Sequence, residues 1–279
     1  MFRIRETKNI NAMNISIAQP YAFTDLGLRK NNEDFIYPYP ESVTSKERLF
    51  LVCDGVGGAD KGEIASSLAC ESICTYFDAF LENNSPTEEF VRKSVRYTET
   101  CFDSYKDSHP ESAGMATTLT LLYVGDNGVT IAHAGDSRIY QIRNGKIIYQ
   151  TKDHSYVNML LSMGEITPEE VSVHPKKNVI LRAIQGTNSC TEIDVVTLTD
   201  VLPGDVFFMC TDGVLENCPS ETIASVLSSS NMLNARSKIL DMCMGKTKDN
   251  YSFYMIPIQE VYETAGLKQN ILSFLYSFL

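Results

Sequence analysis

The stretch from Ala116 to Thr151, ATTLTLLYVGDNGVTIAHAGDSRIYQIRNGKIIYQT, limits what this chain can fold into. Its apolar, β-rich runs are separated by GDNG and RNGK, which are hairpin-length turns. A parallel connection needs about a dozen residues or more. The stretch therefore predicts an antiparallel meander. Around it, "NISIAQPYAFT" (14–24) alternates like an edge strand, 47–53 is an apolar strand, and strands follow at 191–198, in "DVFFMC" and in "YSFYMIPI". Helical spacing predicts helices at 62–83 and 87–107, with Ser85 or Thr87 as cap. It also predicts one after Ser220 and one at 231–244, and helical turns at 156–163 and 168–171 within a polar segment, 153–186. No repeat or low-complexity linker divides the chain.

Asp54 raises the question of function. It ends the run LFLVC, and the spacing places it on a strand-to-helix loop. The loop VGGADKGE is not a Walker loop, because Glu63 stands where Lys is required. Nor is it a dinucleotide fingerprint, because Asp60 takes the last glycine position. The same design recurs. Asp136 ends "VTIAHAG", Asp212 ends "VFFMCT", Asp249 precedes "YSFYMI", and Glu33 and Asp34 precede "FIY". One such residue is most simply a turn or cap. Several buried together would repel and would need partners. Divalent cations with oxygen preference, Mg²⁺ or Mn²⁺, are the natural ones.

Taken in order, "DLGLRKNNED", "LVCDGVGGADKGEIAS", "GMATTLTLLYV", "IAHAGDSRIYQIRNGKI", "DHSYVNMLLSMGEITPEEV", "FFMCTDGV" and "KDNYS" resemble the metal-dependent serine/threonine protein phosphatases of type 2C, in their compact bacterial form. The resemblance implies an α+β fold, a four-layer αββα sandwich of two antiparallel sheets flanked by helix pairs. It implies a lead at 1–13, a phosphatase domain at 14–258 with a flap at 153–186, and an apolar tail at 259–279. It also implies roles. Asp54 bridges two metals, with the Gly55 carbonyl as a further ligand. Asp212 and Asp249 hold the first metal, and Asp34 with Glu33 the second, partly through water. Asp136 joins Asp212 at a third, and Arg29 binds phosphate. Water between two Mn²⁺ or Mg²⁺ ions would attack phosphoserine or phosphothreonine directly. Val56 stands where some relatives carry a proton-donating His, which leaves that task to water.

Composition narrows the partners. A net charge of -11 and a pI near 4.9 are a poor match to nucleic acid or an anionic membrane. Eight cysteines without a C-x-x-C pair, and a charged N-terminus, fit a reducing cytoplasmic setting. The expected partners are phosphoproteins, a serine/threonine kinase and its substrates. The tail stripe Leu267, Ile271, Phe274, Leu275 and Phe278 would dock on its own domain or on a partner. A phosphoprotein-binding scaffold and a small-phosphoester hydrolase are the alternatives.

Overall fold

The fold is that of a computed structural model that describes residues 13–56 and 61–263. Residues 1–12 of the N-terminal lead, residues 57–60 and the apolar stripe of the tail lie outside the described residues, while Met13, read as the end of the lead, belongs to the first strand. One sheet is ordered β1 (Met13–Ile17), β12 (Tyr251–Glu263), β11 (Val206–Cys210), β8 (Arg138–Arg143), β9 (Lys146–Gln150), and β2 (Tyr21–Asp25) also pairs with β12. The second is ordered β10 (Asp194–Leu198), β7 (Gly128–Ala134), β6 (Leu119–Gly125), β4 (Leu49–Val56), β3 (Asp34–Tyr37), and β5 (Ala116–Thr117) also pairs with β4. Every ladder between these strands is antiparallel.

The apolar runs are continuous because both faces of each sheet are covered, and a strand alternates its side chains between them. In β4, Phe50 and Val52 enter the core between the sheets, where they meet Phe207, Met209, Tyr254 and Ile256. Leu51 and Cys53 point the other way, against Ala69, Ile73, Phe77, Val91 and Phe102 of helices α1 (Gly62–Phe80) and α2 (Glu88–Ser108). In β11, Phe208 and Cys210 turn outward onto Ile223, Leu227 and Ile239 of α6 (Ser220–Ser229) and α7 (Met232–Cys243). Three apolar cores thus separate four layers, as the resemblance implied. The polar segment contributes α3 (Tyr156–Met163) and α4 (Pro168–Val171). No described helix is long and apolar enough to cross a membrane.

The structure corrects several expectations. The predicted meander is two hairpins in different sheets: β6–β7 lies in one and β8–β9 in the other. The link Gly135-Asp136-Ser137 carries the chain between them, because β8 finds its apolar partner in β11. The edge strand at 14–24 is split around Pro20 into β1 and β2, since a ring without N–H cannot continue the ladder. Asp54 lies inside β4, directly opposite Asp34, rather than on a loop. Asp212 opens a short helix, α5 (Asp212–Asn217). Thr87 caps α2 by accepting from the Phe90 N–H at 3.1 Å, whereas Ser85 accepts from the Asp126 N–H. Ser220 caps nothing. It is the first residue of α6, and its hydroxyl lies 2.9 Å from Tyr140 Oη. Residues 259–263, read as tail, belong to β12, where β1 supplies a ladder the local pattern does not announce.

Gly135 makes the sheet-to-sheet corner possible. Its φ is 106°, and a Cβ there would lie 2.6 Å from Thr118 Cγ2. Gly135→Ala combines backbone strain with this clash, so it is expected to destabilise by about 1–3 kcal/mol. Equilibrium urea unfolding measures this as a lower midpoint at unchanged m-value.

Candidate metal centre

Five chain segments meet at one end of the sandwich. Asp34 and Asp54 face each other across the β3–β4 ladder, and the Gly55 N–H donates to the Glu33 carbonyl at 3.0 Å. The Asp54 backbone is gripped on both sides. Its N–H donates to Thr118 Oγ1 at 2.9 Å, and its carbonyl accepts from Thr117 Oγ1 at 2.9 Å and the Thr118 N–H at 2.8 Å. Asp212, two residues beyond β11 and the first of α5, is close enough to act electrostatically on Asp54. Asp136 arrives from the sheet-to-sheet corner and Asp249 from the residues before β12. All four neighbouring aspartates act electrostatically on Asp54.

Asp34 is buried, and the other four are half-buried. Burial is the chief cause that raises each shifted carboxyl. Asp34 is pushed up to about 7 against the hydrogen bonds of Ser252 and Thr211. Asp136 reaches about 7, with Asp212 and Asp153 adding to burial. Asp212 reaches about 6, with Asp249 and Glu216 adding to burial. Asp54 is raised well above the carboxylate range by burial and then by Asp34 and Asp212. Glu33 is raised by burial and by Glu63.

The donor set fits hard divalent cations. Among the described residues, one buried oxygen of Asp34 and one of Asp136 have no hydrogen-bond partner. Buried polar atoms normally have one, and carboxylate oxygens are the preferred ligands of Mg²⁺ and Mn²⁺. Protein cations do little here. Arg138 is bound bidentately to Asp153, at 2.7 and 2.6 Å. Arg29 reaches only Asp249, at 2.7 Å.

Three residues the sequence reading passed over complete the frame. Thr211 Oγ1 donates to Asp34 Oδ2 at 2.9 Å and accepts from the Ser252 N–H at 3.0 Å. The Asn250 side chain accepts from the Glu33 N–H at 2.8 Å and donates to the Leu26 and Asn31 carbonyls at 3.0 and 2.8 Å. Gly213 packs where a Cβ would meet the Asn250 carbonyl at 1.9 Å. Their only sequence signal is position beside an acidic tip.

His133, His154 and Asp194 are the one group of three among the described residues whose ligand-type atoms all lie within 4.8 Å of one another. It is ill suited to a metal. The two rings stack at 4.5 Å and 11°, so their in-plane lone pairs do not converge. His154 Nδ1 accepts from the Gly135 N–H at 3.3 Å, and Arg182 already pairs with Asp194 at 3.0 Å. His154 therefore anchors the polar segment to the corner that carries Asp136.

This geometry has counterparts. A family profile described as protein phosphatase 2C matches residues 29–270. The chain belongs to this family. It is 32% identical over 235 residues to the serine/threonine protein phosphatase PstP of Mycobacterium tuberculosis, an alignment spanning 82% of this chain and 43% of PstP. It thus spans less than half the length of that relative. It is 31% identical to the serine/threonine phosphatase stp of Listeria innocua, over 77% of this chain and 85% of stp. The crystal structure of PstP superposes with a TM-score of 0.76 at 28% identity, covering 88% of this chain and all of that one. A PstP catalytic domain in complex with two manganese ions gives 0.72 at 27% identity, with the same coverage.

Because the folded state holds Asp136 above its ordinary range, the acid is tolerated when protonated and costs stability once ionised. Without added metal, Asp136→Asn should melt close to wild type only below about pH 4, where the carboxyl is protonated in the unfolded chain as well. Its advantage should grow from there to about pH 7 and stay level above it, at on the order of 1–4 kcal/mol. Thermal melts across that range check this, and Mn²⁺ should close the gap at the alkaline end.

Proposed function

We propose that this chain is a serine/threonine protein phosphatase that hydrolyses phosphoserine and phosphothreonine by direct attack of water at a centre of two Mn²⁺ or Mg²⁺ ions. The observation that carries the reading is the grouping of Asp34, Asp136, Asp212 and Asp249 around Asp54, with two carboxylate oxygens unpartnered among the described residues. Asp54, central to the group, is the bridging carboxylate, with the Gly55 carbonyl beside it. Asp212 and Asp249 hold one ion, and Asp34 and Glu33 the other. Asp136 with Asp212 serves a third. Bound divalent cations lower the pKa of water and polarise phosphoryl oxygens.

The chain's own groups orient the reaction. Arg29, exposed on the rim, presents a fork matched to phosphate oxygens. Thr117, Thr118 and Thr211 fix the carboxylates so that little reorganisation is needed in the transition state. Val56 offers no proton, so the leaving hydroxyl takes its proton from solvent.

A protein substrate is favoured over a small phosphoester by a groove of about 830 Å³ beside the Asp136 corner. Met159, Leu161 and Leu181 give it apolar surface, and Lys152 and Arg182 give it charge. The groove supports a reading in which the flap, 153–186, contacts residues flanking the phosphorylated side chain. In this reading the enzyme opposes a serine/threonine kinase in the cytoplasm.

Phosphate release from a phosphothreonine peptide should require Mn²⁺ or Mg²⁺ and stop with chelator. Asp54→Asn and Asp212→Asn should each lower turnover by more than about 100-fold, since even residues behind metal ligands are worth about 10–100-fold. Circular dichroism should be unchanged. Full activity in either variant overturns the mechanism. Metal binding without turnover would make the protein a scaffold, and preference for small phosphoesters would remove the protein substrate.

A further inference from the structure

Arg29 makes the only ion pair, among the described residues, to any of the acids assigned to metal above. Its Nη2 donates to Asp249 Oδ2 at 2.7 Å, while Asp249 Oδ1 accepts from the Asn250 N–H at 2.9 Å. The backbones that carry the pair are locked together. The Leu28 N–H donates to the Thr247 carbonyl at 3.2 Å, and Asn250 holds the Leu26 and Asn31 carbonyls. Gly27, at φ 59°, approaches so closely that a Cβ would lie 2.0 Å from the Asp249 carbonyl. Only the arginine side-chain torsions remain free. The two side chains are 54% and 33% exposed, so the contact is weak enough to exchange.

We propose that Arg29 and a divalent cation compete for Asp249, so that cation binding releases the guanidinium to face phosphate. This rests on the metal-centre reading above. A cation drawn to Asp249 brings two positive charges close to a third, and like charges at that range repel. The guanidinium then turns its fork to the next available oxyanion, which is the substrate phosphate. Loading the metal and arming the phosphate-binding arginine become one step. By linkage, Arg29 weakens cation binding by the same factor by which the cation weakens the ion pair.

Mn²⁺ binding to the full chain, followed by calorimetry and by electron paramagnetic resonance of the free ion, tests this without turnover. Arg29→Gln should tighten one site by roughly two- to fivefold, the range of an exposed ion pair. Lys30→Gln, which removes a neighbouring exposed charge, should leave affinity unchanged. In ¹H–¹⁵N spectra the Arg29 Nε–Hε signal should move as Mg²⁺ saturates the protein. Unchanged affinity in Arg29→Gln, an equal gain in Lys30→Gln, or a stationary Arg29 signal overturns the coupling while leaving the metal centre intact. If the wild type binds no Mn²⁺, or if Asp54→Asn binds it equally well, the metal-centre reading fails and the coupling with it.

Discussion

The pairing of Asp34 with Asp54 across the β3–β4 ladder is the constraint that the rest of the structure serves. Two ionised carboxylates about 5 Å apart at an effective dielectric constant of about 20 repel by roughly 3 kcal/mol. A hydrogen bond contributes about 1 kcal/mol net. The hydroxyls and amides that grip these residues therefore hold them in place but do not neutralise them. Protons or cations must. Burial first, and then the charge of Asp212, push Asp34 and Asp136 up to about 7.

The scaffold has to withstand this concentration of like charge, and three separate apolar cores do so. The core between the sheets holds β4, β11 and β12 in register, so that Asp54, Asp212 and Asp249 emerge at the same end. The outer cores fasten the helices that follow two of those strands. Ionic contacts elsewhere have a different character. Arg143 meets buried Asp205 at 2.7 Å, and Arg138 meets Asp153 at 2.6 Å. These pairs are neutralised within the protein and leave no oxygen waiting for a ligand.

The corner at Gly135 connects the acidic centre to the segment that would read a substrate. His154 receives the Gly135 N–H on its ring, and its own N–H donates to the Gly135 carbonyl at 2.9 Å. Burial and the neighbouring His133 lower the pKa of its ring, in the direction that suits an Nδ1 accepting from the Gly135 N–H. The flap is thus tied by a pair of hydrogen bonds to the residue preceding Asp136.

The sequence by itself determined much of the local structure and marked the acidic residues that the fold gathers. Short turns made antiparallel hairpins unavoidable, helical spacing placed α1, α2, α3 and α7 within a few residues, and acidic tips after apolar runs marked the carboxylates. Each of these signals acts over a few residues, so it survives in the linear pattern. Only the tertiary structure decided which strands share a sheet. The turn GDS in "AHAGDSRIY" looks like its neighbours, yet it crosses between sheets, because the partner of β8 is β11, more than sixty residues on. The same holds for Thr211 and Asn250, whose partners Asp34 and Glu33 lie 177 and 217 residues away. The hold of Arg29 on Asp249 spans 220 residues. Such contacts depend on how faces pack across the core, and neither periodicity nor spacing encodes them.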